Sequence, residues 1–135
     1  MKKVLFVCVE NSCRSQMAEG FAKLFGKGIF EPHSAGSKPS GKIDPMAVEV
    51  MKEADIDISS QKSKGFNDLS IKEFDMIITL GCGDVCPFVP AKEHIEWKID
   101  DPKGKEISFF RMVRDHIKDN VKNLADSIMR NDKGR

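Results

Sequence analysis

Short apolar runs alternate along the chain with longer segments in which apolar residues recur every three or four positions. Lys3–Val7 and Asp75–Leu80 are short and mostly apolar, which is typical of strands buried on both faces of a parallel sheet. Phe30–Ser34 and Ile95–Ile99 are two further candidate strands. The hydrophobic pattern therefore predicts four strands, separated by segments long enough to form crossover helices.

The segments between the strands carry helix signals. One helix begins at Ser15 and ends near Gly26, while Asp44 and Pro45 mark the start of a second, with aspartate as N-cap and proline in the first turn. The apolar residues of the final segment repeat at intervals of three or four, which is the period of one helix face. They are Phe110, Val113, Ile117, Val121, Leu124 and Ile128.

This order of elements predicts a single α/β domain over residues 1–135, with a frayed tail at 131–135. We expect a four-stranded parallel sheet with helices on both faces, because crossover connections between parallel strands place helices there. Ligands of such sheets bind at the carboxyl ends of the strands. We therefore expect the chemistry to lie in the loops that follow Val7 and Leu80.

Charge and composition narrow the choice of function. The 22 basic and 21 acidic residues leave a net charge of +1, which gives no electrostatic footprint for nucleic acid or for an anionic membrane. The apolar stretch near Met1 is too short for a signal peptide or a membrane span, so we expect a cytoplasmic protein with reduced thiols. The chain also contains four cysteines and no tyrosine.

The four cysteines are not spaced as zinc ligands. Four residues separate Cys8 from Cys13, three separate Cys82 from Cys86, and the three histidines are scattered along the chain. A disulfide framework is not expected in a reducing compartment. The sequence therefore predicts no metal and no cofactor, and leaves the thiols as either buried and inert or chemically reactive.

The loop after the first strand has the composition of an oxyanion site. Cys8 ends the strand and the helix begins near Ser15, so Cys8 and Arg14 stand in a C-x5-R arrangement followed by serine. Such a turn directs backbone N–H groups and the positive end of the helix at a tetrahedral oxyanion, and Arg14 adds a planar pair of donors. The same field favours the Cys8 thiolate, and Ser15 can donate a hydrogen bond to its sulfur. The predicted oxyanion loop comprises Cys8, Val9, Glu10, Asn11, Ser12, Cys13 and Arg14.

This loop, followed by Gln16–Gly20, resembles that of the low-molecular-weight protein tyrosine phosphatases and, more closely, that of the thioredoxin-coupled arsenate reductases built on the same fold. The resemblance covers nearly the whole chain. Its further motifs are Ser34-Ala35-Gly36, Asp44-Pro45, Ile56-Asp57-Ile58-Ser59, the loop around Cys82, and Asp100-Asp101-Pro102. It implies reduction of arsenate to arsenite, with phosphate or sulfate as competing oxyanions and thioredoxin as the electron donor.

The resemblance assigns roles to three residues outside the loop. Asp101 is the implied general acid, which protonates the departing oxygen. Cys82 is implied to attack Cys8 in its arsenic adduct and Cys86 to attack Cys82, so that a disulfide passes along the three thiols. Free cysteines are often buried and inert, but the glycines that flank Cys82 favour the reactive interpretation.

The missing tyrosine separates this function from a phosphatase. A tyrosine phosphatase of this fold carries aromatic residues directly after Asp-Pro, whereas this chain continues with Lys103-Gly104-Lys105. A site without an aromatic wall suits a small inorganic oxyanion. Two alternatives stay open: a tyrosine phosphatase with a redox-regulatory cysteine pair, and a non-catalytic protein that binds oxyanions or senses redox state.

Four polar residues are candidates for supporting the loop. Some relatives bind potassium through residues that match Asn11, Glu19 and Ser34, and Lys64 stands where those relatives have an aspartate. An ammonium at this position can replace the cation by pairing with Glu19. Asn11 also tolerates a positive φ better than most residues, so we expect it to form the tight turn.

Two loop residues carry separate expectations. Many relatives have glycine where this chain has Glu10. A carboxylate facing the anion would repel it, so we expect Glu10 to point to solvent. Cys13 has no evident partner, and we expect it to serve in packing.

Overall fold

The computed structural model describes residues 1–81 and 90–133. Strands and α-helices follow one another along these residues. The elements in chain order are β1 (Lys2–Cys8), α1 (Arg14–Phe25), β2 (Phe30–Gly36), α2 (Pro45–Glu53), a 3-10 helix (Phe66–Asp68), β3 (Phe74–Leu80), β4 (Ala91–Trp97) and α3 (Ile107–Lys133). Within the described ranges, no helix is long and apolar enough to cross a membrane.

The four strands form one parallel sheet in the order β2-β1-β3-β4. The α/β class and the four-stranded parallel sheet predicted from the sequence are confirmed. Because all strands run in one direction, Cys8 at the end of β1, Gly36 at the end of β2 and Leu80 at the end of β3 lie along the same edge. This carboxyl edge is where parallel sheets bind ligands.

The side chains of β1 alternate between two cores. Val4 and Phe6 pack in the larger core, to which all three α-helices contribute, while Leu5 and Val7 pack in the smaller one. The smaller core is closed by Leu69 and by residues around the 3-10 helix. The sequence predicts helices on both faces of the sheet. Among the described residues, the three α-helices pack on one face, and the other face carries only the 3-10 helix.

Most element boundaries lie within two residues of those predicted, and the larger differences are at β4 and at the end of α3. β4 covers Ala91–Trp97 rather than Ile95–Ile99, because it is an edge strand whose outward positions are polar and exposed, so it lacks the apolar run of a central strand. Ile99 lies beyond the strand and is nevertheless buried. The final helix α3 continues to Lys133 and so includes 131–133, which the sequence predicts as part of a frayed tail.

The start of α2 lies beside the loop that follows β1. Asp44 Oδ1 accepts a hydrogen bond from the backbone N of Met46 at 2.9 Å, which confirms the predicted N-cap. The backbone N of Asp44 donates to the carbonyl of Ser12 at 3.0 Å. The amino terminus of α2 is thereby attached to the oxyanion loop.

Candidate oxyanion site

The loop that joins β1 to α1 encloses a small cavity at the carboxyl edge of the sheet. The cavity has a volume of about 20 Å³ and is lined by Cys8, Val9, Glu10, Ser12, Cys13, Arg14 and Asp101. Its wall combines thiols, a guanidinium and carboxyl groups from two distant parts of the sequence. Pockets for drug-sized ligands measure roughly 300–1,000 Å³, so this cavity suits a small ion better than an aromatic ring.

Asn11 holds the loop in its curved shape. Its φ of 51° lies in the left-handed region, which asparagine adopts more readily than most residues, and the predicted tight turn is confirmed. The side chain is fully buried, and its Nδ2 donates to Ser15 Oγ at 2.7 Å and to Ser34 Oγ at 3.1 Å. Its Oδ1 accepts from the backbone N of Lys64 at 2.9 Å. These bonds attach the loop to α1, to β2 and to the segment after α2.

Two glutamines behind the loop support Asn11. Gln16 is fully buried, and its Nε2 donates to Asn11 Oδ1 at 2.8 Å and to the Asn11 carbonyl at 3.0 Å. Gln61 Nε2 donates in turn to Gln16 Oε1 at 2.8 Å. Neither supporting role is evident from the sequence, because glutamine is mostly an exposed residue in proteins.

The thiol of Cys8 faces the hydroxyl of Ser15. Cys8 Sγ and Ser15 Oγ are 2.8 Å apart, and both residues are buried. The orientation of the Asn11 side-chain amide shows which way the Ser15 hydrogen bond runs. The backbone N of Lys64 can only donate, so it contacts the amide oxygen, and the amide nitrogen therefore faces Ser15. Since Ser15 Oγ accepts that bond, its own hydrogen is free to point at Cys8 Sγ. This arrangement suits the stabilisation of negative charge on the sulfur.

The Arg14 guanidinium is buried and held from two directions. Its Nη1 donates to the Ile99 carbonyl at 3.1 Å, and its Nη2 lies 3.7 Å from Asp101 Oδ2. Gly81, with φ of 82°, passes so close that a Cβ there would lie 2.5 Å from Arg14 Nη1 and 2.7 Å from the Ile99 oxygen. The position of Arg14 therefore depends on the absence of a side chain at Gly81. A glycine directly after a buried strand is the sequence signal for such a close approach.

Asp101 lies at the mouth of the cavity. Its side chain is 52% exposed, and its Oδ1 accepts a hydrogen bond from the backbone N of Lys103 at 3.1 Å. From this position the carboxyl group reaches both the cavity and solvent. The structure thus brings Asp101 together with Cys8, Arg14 and Ser15.

The sequence predicts a solvent-facing Glu10, and the structure corrects this expectation. The Glu10 side chain is only 33% exposed, and both of its carboxylate oxygens lie 2.6 Å from Lys103 Nζ. No periodicity or motif links residues 10 and 103, so this partner is evident only once the chain is folded. The carboxylate in the oxyanion loop is therefore neutralised by a lysine.

Cys13 packs in the larger core, as expected. Its Sγ lies 3.7 Å from Ser12 Oγ and 3.4 Å from Asp44 Oδ2. Burial, together with the nearby Asp44 carboxylate, raises the pKa of the Cys13 thiol to about 12. At neutral pH this thiol is therefore protonated and a poor nucleophile.

Behind Asn11, Glu19 is buried between two lysines and a serine. Lys64 Nζ is 3.2 Å from Glu19 Oε1 and 3.2 Å from Ser34 Oγ, and Lys23 Nζ is 2.9 Å from Glu19 Oε2. Ser34 Oγ also donates to Glu19 Oε1. Burial opposes the charge, but the Ser34 bond and the two ammonium groups prevail and hold the pKa of Glu19 below its usual range. The four predicted support residues therefore meet, with the Lys64 ammonium among them.

The predicted second thiol pair, Cys82 and Cys86, lies outside the described residues. Among residues 1–81 and 90–133, no three His, Cys, Asp or Glu side chains are grouped as metal ligands. A larger cavity of about 400 Å³ lies beside Phe74 and Ala91, at the opposite edge of the sheet, and none of its described lining residues is a cysteine. The oxyanion loop, where the nucleophile and the cations meet, is therefore the candidate site.

Comparison with known proteins points to one family. Residues 3–134 match the family described as low molecular weight phosphotyrosine protein phosphatase. A glutaredoxin arsenate reductase of Synechocystis is 43% identical over 131 residues, which cover 95% of this chain and 99% of that protein. A solved structure of an arsenate reductase in the phosphate binding state is 41% identical, with a TM-score of 0.84, and the match covers 95% of this chain and 99% of that one. The thioredoxin-dependent arsenate reductase of Corynebacterium glutamicum is 33% identical, with a TM-score of 0.79, and the match covers 96% and 62% respectively.

We expect Gly81→Ala to weaken the binding of inorganic phosphate by about tenfold or more, because the new Cβ would displace the Arg14 guanidinium. Isothermal titration of the reduced protein with phosphate measures this affinity. Gly28→Ala is the matched control, because Gly28 has a similar φ of 78° but nothing beyond its chain neighbours within 4 Å of an added Cβ. The control should lose about 1–2 kcal/mol in free energy of unfolding and bind phosphate normally. Equal phosphate affinities in the two variants would contradict the role of Gly81.

Proposed function

The chain belongs to the low molecular weight phosphotyrosine protein phosphatase family, and on that premise we propose that it reduces arsenate to arsenite. The observation that carries the proposal is the convergence of Cys8, Ser15, Arg14 and Asp101 around a cavity sized for a small oxyanion. Proteins described as arsenate reductases match nearly the whole chain. The proposed enzyme is an oxidoreductase on a phosphatase fold, formed by a single domain over residues 1–135.

Arsenate is a tetrahedral oxyanion that resembles phosphate in charge and shape. In the proposed complex, backbone N–H groups of residues 9–14 and the Arg14 guanidinium bind its oxygens, while the amino terminus of α1 adds a positive field. Lys103 and Lys105 stand where a tyrosine phosphatase of this fold has aromatic residues. None of the described residues that line the cavity is aromatic, which favours arsenate over a phosphotyrosine substrate.

The first step forms a covalent adduct at Cys8. The Cys8 thiolate attacks arsenic, and the bond from arsenic to the departing oxygen breaks as Asp101 supplies the proton that completes a water molecule. The place of Asp101 at the cavity mouth, 3.7 Å from Arg14 and half exposed, supports this role. The Ser15 hydroxyl stabilises the charge on the sulfur before the attack.

The second step moves two electrons to arsenic. The Cys82 thiolate attacks Cys8 Sγ, the S–S bond forms, the S–As bond breaks, and arsenic keeps the electron pair and leaves as arsenite. The Cys86 thiolate then attacks Cys82 Sγ and releases the Cys8 thiolate, so that the Cys82–Cys86 disulfide remains for an external dithiol to reduce. The resemblance to the arsenate reductases supports this relay.

Thioredoxin is the proposed electron donor. The relative from Corynebacterium glutamicum is described as thioredoxin-dependent, whereas the relative from Synechocystis is described as a glutaredoxin arsenate reductase. Both donors reduce disulfides through attack by a thiolate, so an assay that supplies each in turn distinguishes them. The proposed location is the cytoplasm, where such donors keep thiols reduced.

Lys64 is proposed to support the oxyanion loop in place of a bound cation. Its Nζ lies 3.2 Å from Glu19 Oε1, 3.2 Å from Ser34 Oγ and 3.1 Å from the Lys62 carbonyl. Oxygen atoms arranged in this way are suitable ligands for a monovalent cation, and the ammonium already lies among them. Ser34 also accepts a hydrogen bond from Asn11, so the charge cluster contacts the loop directly.

The relay predicts that Cys82→Ser abolishes arsenite production in an assay coupled to thioredoxin and thioredoxin reductase, because no thiolate then attacks Cys8. The same variant should still hydrolyse an aryl phosphate slowly, since Cys8, Arg14 and Asp101 are intact. Cys8→Ser is the control and should lose both activities. Full reductase turnover by Cys82→Ser would contradict the relay, and a wild-type protein inactive on both substrates would contradict the enzymatic function.

The catalytic efficiency with arsenate should be the same in sodium and in potassium salts, because the Lys64 ammonium occupies the cation position. Lys64→Ala should lower the efficiency several-fold in sodium and make it depend on potassium. Lys62→Ala is the control, since Lys62 is exposed and contacts Lys64 through its backbone carbonyl. A several-fold rise in the efficiency of the wild type when potassium replaces sodium would refute the substitution of lysine for a cation.

A further inference from the structure

The ion pair between Glu10 and Lys103 connects the two halves of the oxyanion site. Lys103 Nζ lies 2.6 Å from both carboxylate oxygens of Glu10, across 93 positions of sequence. On the same turn, the backbone N of Lys103 donates to Asp101 Oδ1, and Asp101 Oδ2 faces Arg14. Negative and positive groups therefore alternate around the cavity mouth.

This pair resolves an electrostatic conflict within the loop. Glu10 lines the cavity that accepts the anion, and an unpaired carboxylate there would repel it. The Lys103 ammonium cancels that charge at short range. The hydrogen bond to Glu10 raises the pKa of Lys103 above its usual range, which reflects the stabilisation of the ammonium by the carboxylate.

We infer that the Glu10–Lys103 pair sets the affinity of the loop for oxyanions, with Lys103 raising the affinity and Glu10 lowering it. This inference rests on the proposed binding of a tetrahedral oxyanion in the loop. The hydrogen bond from Lys103 to Asp101 comes from its backbone N–H, and the Lys103 ammonium adds an electrostatic attraction that is smaller than the one to Glu10. A change of the Lys103 side chain therefore acts on anion binding and leaves the hydrogen bond to the proposed proton donor in place.

Isothermal titration of the reduced protein with inorganic phosphate tests the inference without any turnover. Lys103→Met should weaken phosphate binding by about three- to tenfold, because it uncovers the Glu10 carboxylate at a partly solvated mouth. Glu10→Gln leaves the Lys103 ammonium free to attract the anion and should tighten binding by a similar factor. The double variant should bind phosphate within about twofold of the wild type, because the two changes act on one ion pair.

Lys105→Met is the matched control for the loss of one positive charge. Lys105 is exposed on the same turn, and its Nζ lies 6.0 Å from the centre of the Phe109 ring. This variant should bind phosphate within about twofold of the wild type, since the Lys105 ammonium faces an aromatic ring and not a carboxylate of the cavity wall. Equal weakening by Lys103→Met and Lys105→Met, or unchanged affinity in both Lys103→Met and Glu10→Gln, would overturn the inference.

Steady-state reduction of arsenate supplies a second readout. Lys103→Met should raise the KM for arsenate in proportion to the loss of phosphate affinity and change kcat by less than about twofold. A lower kcat at unchanged KM would overturn the inference.

The two readouts together separate the role of the ion pair from the proposed function. If the phosphate affinities shift as expected but the wild type does not reduce arsenate, the proposed function fails and the role of the ion pair stands. If the phosphate affinities of the variants do not shift and the wild type reduces arsenate, the role of the ion pair is refuted and the proposed function stands.

Discussion

The side-chain hydrogen bonds of Asn11 are the interactions on which the shape of the oxyanion site depends. The chain must turn sharply between the end of β1 and the start of α1 for its N–H groups to surround an anion, and Asn11 makes that turn in a left-handed conformation. The groups that bond to its side chain come from three parts of the fold: Ser15 and Gln16 from α1, Ser34 from β2, and the backbone of residue 64. The loop is therefore shaped by its bonds to α1, β2 and the segment after α2, and the same amide that shapes it also orients the Ser15 hydroxyl toward Cys8.

Charge around the loop is balanced so that an anion can bind in a site that contains carboxylates. Two carboxylates at the loop face cations: Glu19 faces Lys64 and Lys23, and Glu10 faces Lys103. An unpaired negative charge at any of these places would oppose the anion, and a buried one would also cost stability. The proposed chemistry, in which a thiolate and an oxyanion meet, therefore also depends on Lys64 and Lys103, which are not among the described residues that line the cavity.

Much of the fold and part of the site could be predicted because they rest on local patterns. The apolar run of β1, the three- and four-residue period of α3 and the Asp44-Pro45 helix start each arise from neighbouring residues, and so does the C-x5-R loop. The bounds of β4 are not evident from the sequence, because an edge strand with polar outward positions has no continuous apolar signal.

Contacts between distant residues could not be predicted in the same way. Lys103 carries no sequence mark that connects it with Glu10, and a buried glutamine such as Gln16 is indistinguishable in sequence from an exposed one. The expectation for Glu10 is wrong because its partner is distant in sequence. The repulsion between this carboxylate and an anion can be relieved either by solvent or by a lysine, and only the folded structure shows which. The sequence thus predicts which groups react, whereas the structure adds what holds and balances them.

The most direct test of this account is the dissociation constant of inorganic phosphate from the reduced Asn11→Gly variant, measured by isothermal titration beside the wild type. Glycine accepts the left-handed backbone conformation, so this change removes the side-chain hydrogen bonds and leaves the turn sterically allowed. The account predicts a folded protein whose phosphate affinity is at least about tenfold lower, because the loop loses the bonds that shape it. A folded variant that binds phosphate as tightly as the wild type would contradict the central role of Asn11.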